Sequence, residues 1–239
     1  SRPYTIAARG SGSQVSIGSA SRENGKLYIA GPVLAHSAIN LYSGTSSDGM
    51  DLELTSTGLL KTLAGSIEFN AGTNWVLEGS LTAGGTGSDV VLSGAETLEI
   101  RGDITAADQI RLSAGTTEVP DRVSIQTYGT SHLVTTDVGG RIVINGMNDV
   151  VINSTVGPGS TDLASLEVNS EKGDLEITKE SGRLESSGRI QLGGKSVSLF
   201  GTVISTATAD TAAGFVYSSA TPYERVAAAY TPDFDAYEI

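Results

Sequence analysis

Val90-Val91-Leu92-Ser93-Gly94-Ala95-Glu96-Thr97-Leu98-Glu99-Ile100-Arg101-Gly102-Asp103-Ile104 is the stretch whose reading decides the fold. In Val90-Val91-Leu92 and again in Leu98-Glu99-Ile100, the outer residues face one way and the middle residue the other, as in a short strand with one buried face. Gly94 and Gly102 mark corners, and Ile104 closes the unit. Ile67 to Leu81 repeats the arrangement as Ile67-Glu68-Phe69, Gly72, Trp75-Val76-Leu77, Gly79 and Leu81. Ile142 to Val156 repeats it as Ile142-Val143-Ile144, Gly146, Val150-Val151-Ile152 and Val156. In all three the second triplet begins eight positions after the first, and the closing apolar residue follows six positions later. Ile190 to Val203 repeats it with one deletion.

Looser copies, with insertions at the turns, begin at Val15, Ile39, Ile110 and Leu166, and their second triplets begin at Leu27, Leu52, Val123 and Leu175. Eight units result, with a mean step of about 25 residues. A unit of two or three short strands cannot bury its apolar face alone, so it must stack on the next. The expectation is an all-β parallel β-helix of about eight coils over residues 15–206, a rod on the order of 40 Å long at one strand spacing per coil. Residues 1–14 form an entry segment. The middle residues then fall into two outward ladders. The first runs Ser16, Asn40, Glu68, Val91, Arg111, Val143, Glu167, Gln191, and the second Tyr28, Glu53, Val76, Glu99, Ser124, Val151, Glu176, Ser198. Neither stacks like charges on neighbouring rungs, which would destabilise it.

Asn24-Gly25, Asp48-Gly49 and Asn145-Gly146 are hairpin-type turn signals, and an antiparallel sandwich is the competing fold. Pro32, Pro120 and Pro158 fall between the triplets, where no ladder N–H is lost, and this favours the helix. Trp75 has little room in a narrow coil and is expected at a widened coil or partly at the surface.

The composition of 30 Gly with one Trp, eight Tyr and four Phe in 239 residues describes a corner-rich all-β chain. A formal net charge of −12 argues against a nucleic-acid partner. The chain has no Cys, which excludes a thiolate nucleophile or a zinc–thiolate site and suits a secreted protein held by stacking. No apolar run is long enough for a membrane span or a signal peptide, so an export signal is expected to be removed or to lie outside this segment.

From residue 207 the repeat stops. Phe215, Tyr217, Tyr223, Tyr230, Phe234 and Tyr237 crowd into the last 25 residues, and Thr221-Pro222 is echoed by Thr231-Pro232. An open solenoid end exposes unpaired backbone and core. Residues 207–239 are therefore read as a cap on this chain or as a segment exchanged with the next subunit. Two insertions, Ser113 to Arg122 and Gln126 to Gly140 with Tyr128, His132 and Asp137, are candidate functional loops on a rigid scaffold.

Three motifs bear on chemistry. Gly84-Gly85-Thr86-Gly87-Ser88-Asp89-Val90-Val91 matches the calcium-binding nonapeptide, with Asp89 as the candidate ligand; a glycine-rich corner before a strand accounts for it equally. Arg101-Gly102-Asp103 is the tripeptide that integrins read at a loop tip, although here Gly102 also occupies the corner of the repeat. His36 and His132 lie apart with no nucleophile pattern. Asp48 with Asp51, and Asp103 with Asp108, are the nearest approach to paired catalytic carboxylates. No catalytic residue, metal or cofactor is assigned.

The phrasing Leu98-Glu99-Ile100-Arg101-Gly102-Asp103-Ile104, followed by Gln109-Ile110-Arg111-Leu112-Ser113-Ala114-Gly115, resembles the repeat regions of filamentous-haemagglutinin-like large exoproteins. The resemblance spans roughly residues 15–206 and implies a right-handed parallel β-helix serving as an exported bacterial adhesin shaft. That family's asparagine-proline-asparagine secretion motif is missing from this chain. The expectation is a non-catalytic structural protein, extracellular or on a bacterial cell surface. It would mediate attachment to a host receptor, surface or glycan, or assemble as a homo-oligomer stacking head to tail into a fibre. A carbohydrate-binding or cleaving β-helical spike is the alternative.

Overall fold

The computed structural model describes residues 5–18, 26–43, 52–70, 72–158 and 163–205, and the backbone of 215–219. Among these residues there is no helix, and every strand pairing is parallel. The strands form three sheets. Sheet A has nine strands from Ile6–Ala8 to Thr202–Ser205, sheet B has nine from Gln14–Gly18 to Phe215–Ser219, and sheet C has eight from Leu27–Ile29 to Val197–Leu199. In each sheet every strand pairs with the one three places on in the chain, so the backbone visits the three faces in turn and climbs one strand per circuit.

The recurrent spacing maps onto these faces. First triplets build sheet B, where Ile67, Val90, Ile110 and Ile142 stack in register. Second triplets build sheet C, through Leu52, Trp75 and Leu98. The closing apolar residues Leu60, Leu81, Ile104 and Leu133 form sheet A. All of these stacked side chains point into one continuous core and are fully or almost fully buried. Each such burial stabilises by about 1.5–3 kcal/mol before the cost of ordering the chain is subtracted. This arrangement is a parallel β-solenoid, and it excludes the sandwich. Asn145-Gly146 ends a parallel strand and is not a hairpin, while Asn24-Gly25 and Asp48-Gly49 lie outside the described residues.

Several expectations need correction. Ser124 does not stand in the outward ladder. The register shifts between Val123 and Ile125, which puts Ser124 inside and Gln126 between Glu99 and Val151. The Ser124 hydroxyl is satisfied there, accepting the Asn148 backbone N–H at 3.0 Å. The charge separation along that ladder survives the substitution of one neutral rung for another. Trp75 is buried at 1 % exposure. Room for it comes from the adjacent corner, where Gly72, at φ 140°, is packed against the indole Nε1. Phe69 meets the indole edge-on at 5.7 Å.

At the ends, Ile6–Ala8 of the entry segment is the first strand of sheet A, although it carries no triplet. Phe215–Ser219 extends sheet B past residue 206, with its backbone paired to Ile190 through Gly194. Pro32 opens a strand of sheet A, the one strand position where its missing N–H costs least.

Candidate functional site

The Arg101-Gly102-Asp103 tripeptide lies at the corner between sheets C and A, with its Arg101 and Gly102 backbone N–H groups donating to Leu77 O on the coil below. A Cβ on Gly102 would run into the carbonyl oxygen of Gly79 one coil below, which in turn faces Gly58. Arg101 is engaged on three sides: Glu99 at 2.9 Å, Glu78 at 3.4 Å and the Tyr128 ring 4.7 Å away. Hydrogen bonding to Tyr128, then to Glu99, holds the guanidinium above its already high ordinary pKa. Asp103 Oδ1 accepts the His132 backbone N–H at 3.0 Å and faces His132 Nδ1 at 3.3 Å.

Asp89 is also occupied. Its Oδ1 accepts the Gln109 backbone N–H at 3.0 Å, and partial burial raises its pKa from 3.8. The glycine-rich stretch before it forms a corner, whose Gly87 N–H donates to Asp137 Oδ2 at 3.0 Å. Among the described residues no cluster of three or more metal-ligating side chains exists. Asp48 and Asp51 lie outside the described residues, as do Tyr223, Tyr230, Phe234 and Tyr237; Phe215 and Tyr217 are placed on sheet B by their backbone alone.

Gln126 to Gly140 is not a loop. It contains the end of the sheet C strand Val123–Thr127 and the whole sheet A strand His132–Thr135. Its three marked residues serve as ties between coils: Tyr128 to Arg101, His132 to Asp103, and Asp137 to Gly87. The Ser113 to Arg122 insertion does leave the sheets after Ala114. It is fastened at both ends. Thr116 donates to Glu96, Arg122 pairs with Glu96 at 3.3 Å, and the buried Asn148 accepts the Val119 N–H while donating to Thr117 O.

The anchored insertion flanks the feature that sequence reasoning missed, a trough of about 400 Å³ along the corner between sheets B and C. Gly94, Gly115 and Gly146 are among the residues that line it, and Ser113, Asn145 and Asn169 stand in register beside them. Gly94 and Gly115 adopt φ 100° and 85°, a turn that glycine makes without strain, and a Cβ on Gly115 would run into Ser124 Oγ and Met147. Glu167 and Glu171 make its upper part acidic, and Glu167 is paired with Arg141 at 3.3 Å. Among the described residues the buried Oδ1 of Asn145 has no hydrogen-bond partner. The trough draws on residues from 94 to 171, so only the register identifies it. The readable signal is a polar residue one place beyond the first triplet, in Ser93, Ser113, Asn145 and Asn169.

Comparison with known proteins gives no matching family model, no significantly similar curated protein and no significantly similar solved structure. The fold and this surface geometry therefore carry the functional reading.

Proposed function

We propose that this chain is a non-catalytic, extracellular shaft, a β-solenoid that holds attachment surfaces away from a bacterial cell or stacks end to end into a fibre. The observation that carries the reading is the in-register run of three sheets around one continuous core. Such a body is stiff, repetitive and extendable by adding coils. The repeat phrasing shared with filamentous-haemagglutinin-like exoproteins supports the adhesin version.

End-to-end growth draws on the sheet edges. Ile6 at the leading edge of sheet A is 48 % exposed, and a head-to-tail contact of this kind propagates unless it closes. The described strands end out of phase, with nine in sheets A and B and eight in sheet C. A continuous join therefore requires one further strand on sheet C. The aromatic-rich segment after the sheet B strand Phe215–Ser219 is proposed to supply it. Electron microscopy of the full chain and of a chain ending at residue 206 tests the fibre version: filaments are expected from the first and single rods from the second, and filaments from the shortened chain overturn it. Incubation with acidic polysaccharides is expected to release no new reducing ends and no unsaturated products; either product would make the chain a cleaving spike.

A further inference from the structure

We infer that the trough between sheets B and C binds a neutral saccharide, laid along the row of Ser113, Asn145 and Asn169. The inference rests on the surface-attachment reading and names the chemistry of what is attached to.

Four features of the trough point to this ligand. Ser113, Asn145 and Asn169 occupy successive rungs, about 4.8 Å apart at strand spacing, and each can both donate and accept, as sugar hydroxyls do. The Asn145 Oδ1 is buried without a partner among the described residues, so a sugar hydroxyl that draws the amide outward supplies the missing bond. Glu171 gives the trough negative charge, and Arg141 is already engaged by Glu167 and so is not free for an acidic sugar, which disfavours uronic and sialic acids. A volume of about 400 Å³ accepts on the order of one or two sugar rings, with Met147 beside the polar row to meet a ring's apolar face.

The walls are already in place. Thr116 and Arg122 on Glu96, and Asn148 on Val119, hold the insertion without a ligand, which lowers the ordering cost of binding. An extended peptide would seek a free strand edge. The trough instead crosses strands whose edges are paired on both sides.

The test titrates the folded 239-residue chain with maltotriose, cellotriose and N-acetylated chitotriose, and with trigalacturonate as the anionic comparison, following backbone amides by NMR. At least one neutral trisaccharide is expected to move the amides of Gly94, Gly115, Gly146 and Met147. Ser113→Trp, which fills the trough, and the double variant Asn145→Ala/Asn169→Ala are each expected to weaken that binding at least ten-fold. Asn40→Ala, on the same sheet far from the trough, is expected to leave it unchanged. Absence of trough shifts with all three neutral sugars, equal binding of trigalacturonate, or undiminished affinity in Ser113→Trp overturns the inference. The wild-type shifts decide the matter even if a variant fails to fold. Filaments or rods seen by microscopy are independent of this outcome, so its failure leaves the shaft reading standing.

Discussion

Trp75 Nε1 donates a hydrogen bond to Ser43 Oγ at 3.1 Å, joining residues 32 positions apart inside a corner of the solenoid. The indole thereby keeps its polar edge satisfied while its rings lie in the core. Ser43→Ala is expected to cost about 1–3 kcal/mol by stranding that N–H, and Trp75→Ala about 3–5 kcal/mol by opening a cavity. Urea unfolding followed by circular dichroism measures both.

Gly102 and Arg101 should differ in how much a substitution costs. A methyl group at Gly102 meets the Gly79 carbonyl oxygen, so Gly102→Ala is expected to destabilise by about 1–3 kcal/mol through overpacking. Arg101 has a side chain 44 % exposed, and Arg101→Ala is expected to cost less than about 1 kcal/mol despite its three contacts. Comparable losses from the two changes would contradict the corner geometry.

Asp89 supplies a pH signature. Burial raises its folded pKa above the ordinary 3.8, so the folded chain binds this proton more strongly than the unfolded chain does. Its contribution is then fully present below the unfolded value and is lost as pH rises through the folded value. Asp89→Asn keeps an acceptor for the Gln109 N–H and removes the titration. The stability of the variant relative to wild type should increase as pH is raised from about 3 towards neutrality, a trend that thermal melts across that range will show.

Asn148 anchors the 115–122 insertion from a site only 3 % exposed, bonding to Val119, Thr117 and Ser124. Asn148→Ala is expected to cost about 1–3 kcal/mol. It should also open the insertion to limited proteolysis at or near Arg122, while the wild-type chain resists at equal protease concentration.

The two triplet faces and the closing residues of sheet A were legible in the sequence because period-two alternation and constant spacing report the same burial three times per coil. The entry strand Ile6–Ala8 was not, since a terminal layer is half exposed and needs less apolar surface to pair. Ser124 was misplaced for a different reason: Val123-Ser124-Ile125 alternates correctly, and only the register shift shows that the strand enters its ladder two residues later. The trough was invisible because it assembles from one or two residues per coil, in which no local run carries a motif. Arg101-Gly102-Asp103 and the Gly84 to Val91 stretch were the reverse case. Each matches a short consensus, and Arg101, Asp103 and Asp89 are each tied to a neighbouring coil, through Glu78, His132 and the Gln109 N–H.

The backbone hydrogen bonds of all three sheets join one coil to the next. A force pulling the two ends apart therefore loads them layer by layer, with no strand pair sheared lengthwise. Each layer that lets go frees about 25 residues, roughly 80–90 Å of slack at extended-chain dimensions. Under flow or traction the molecule would act as a shock absorber that yields in steps, and single-molecule stretching should record a train of evenly spaced, low-force releases.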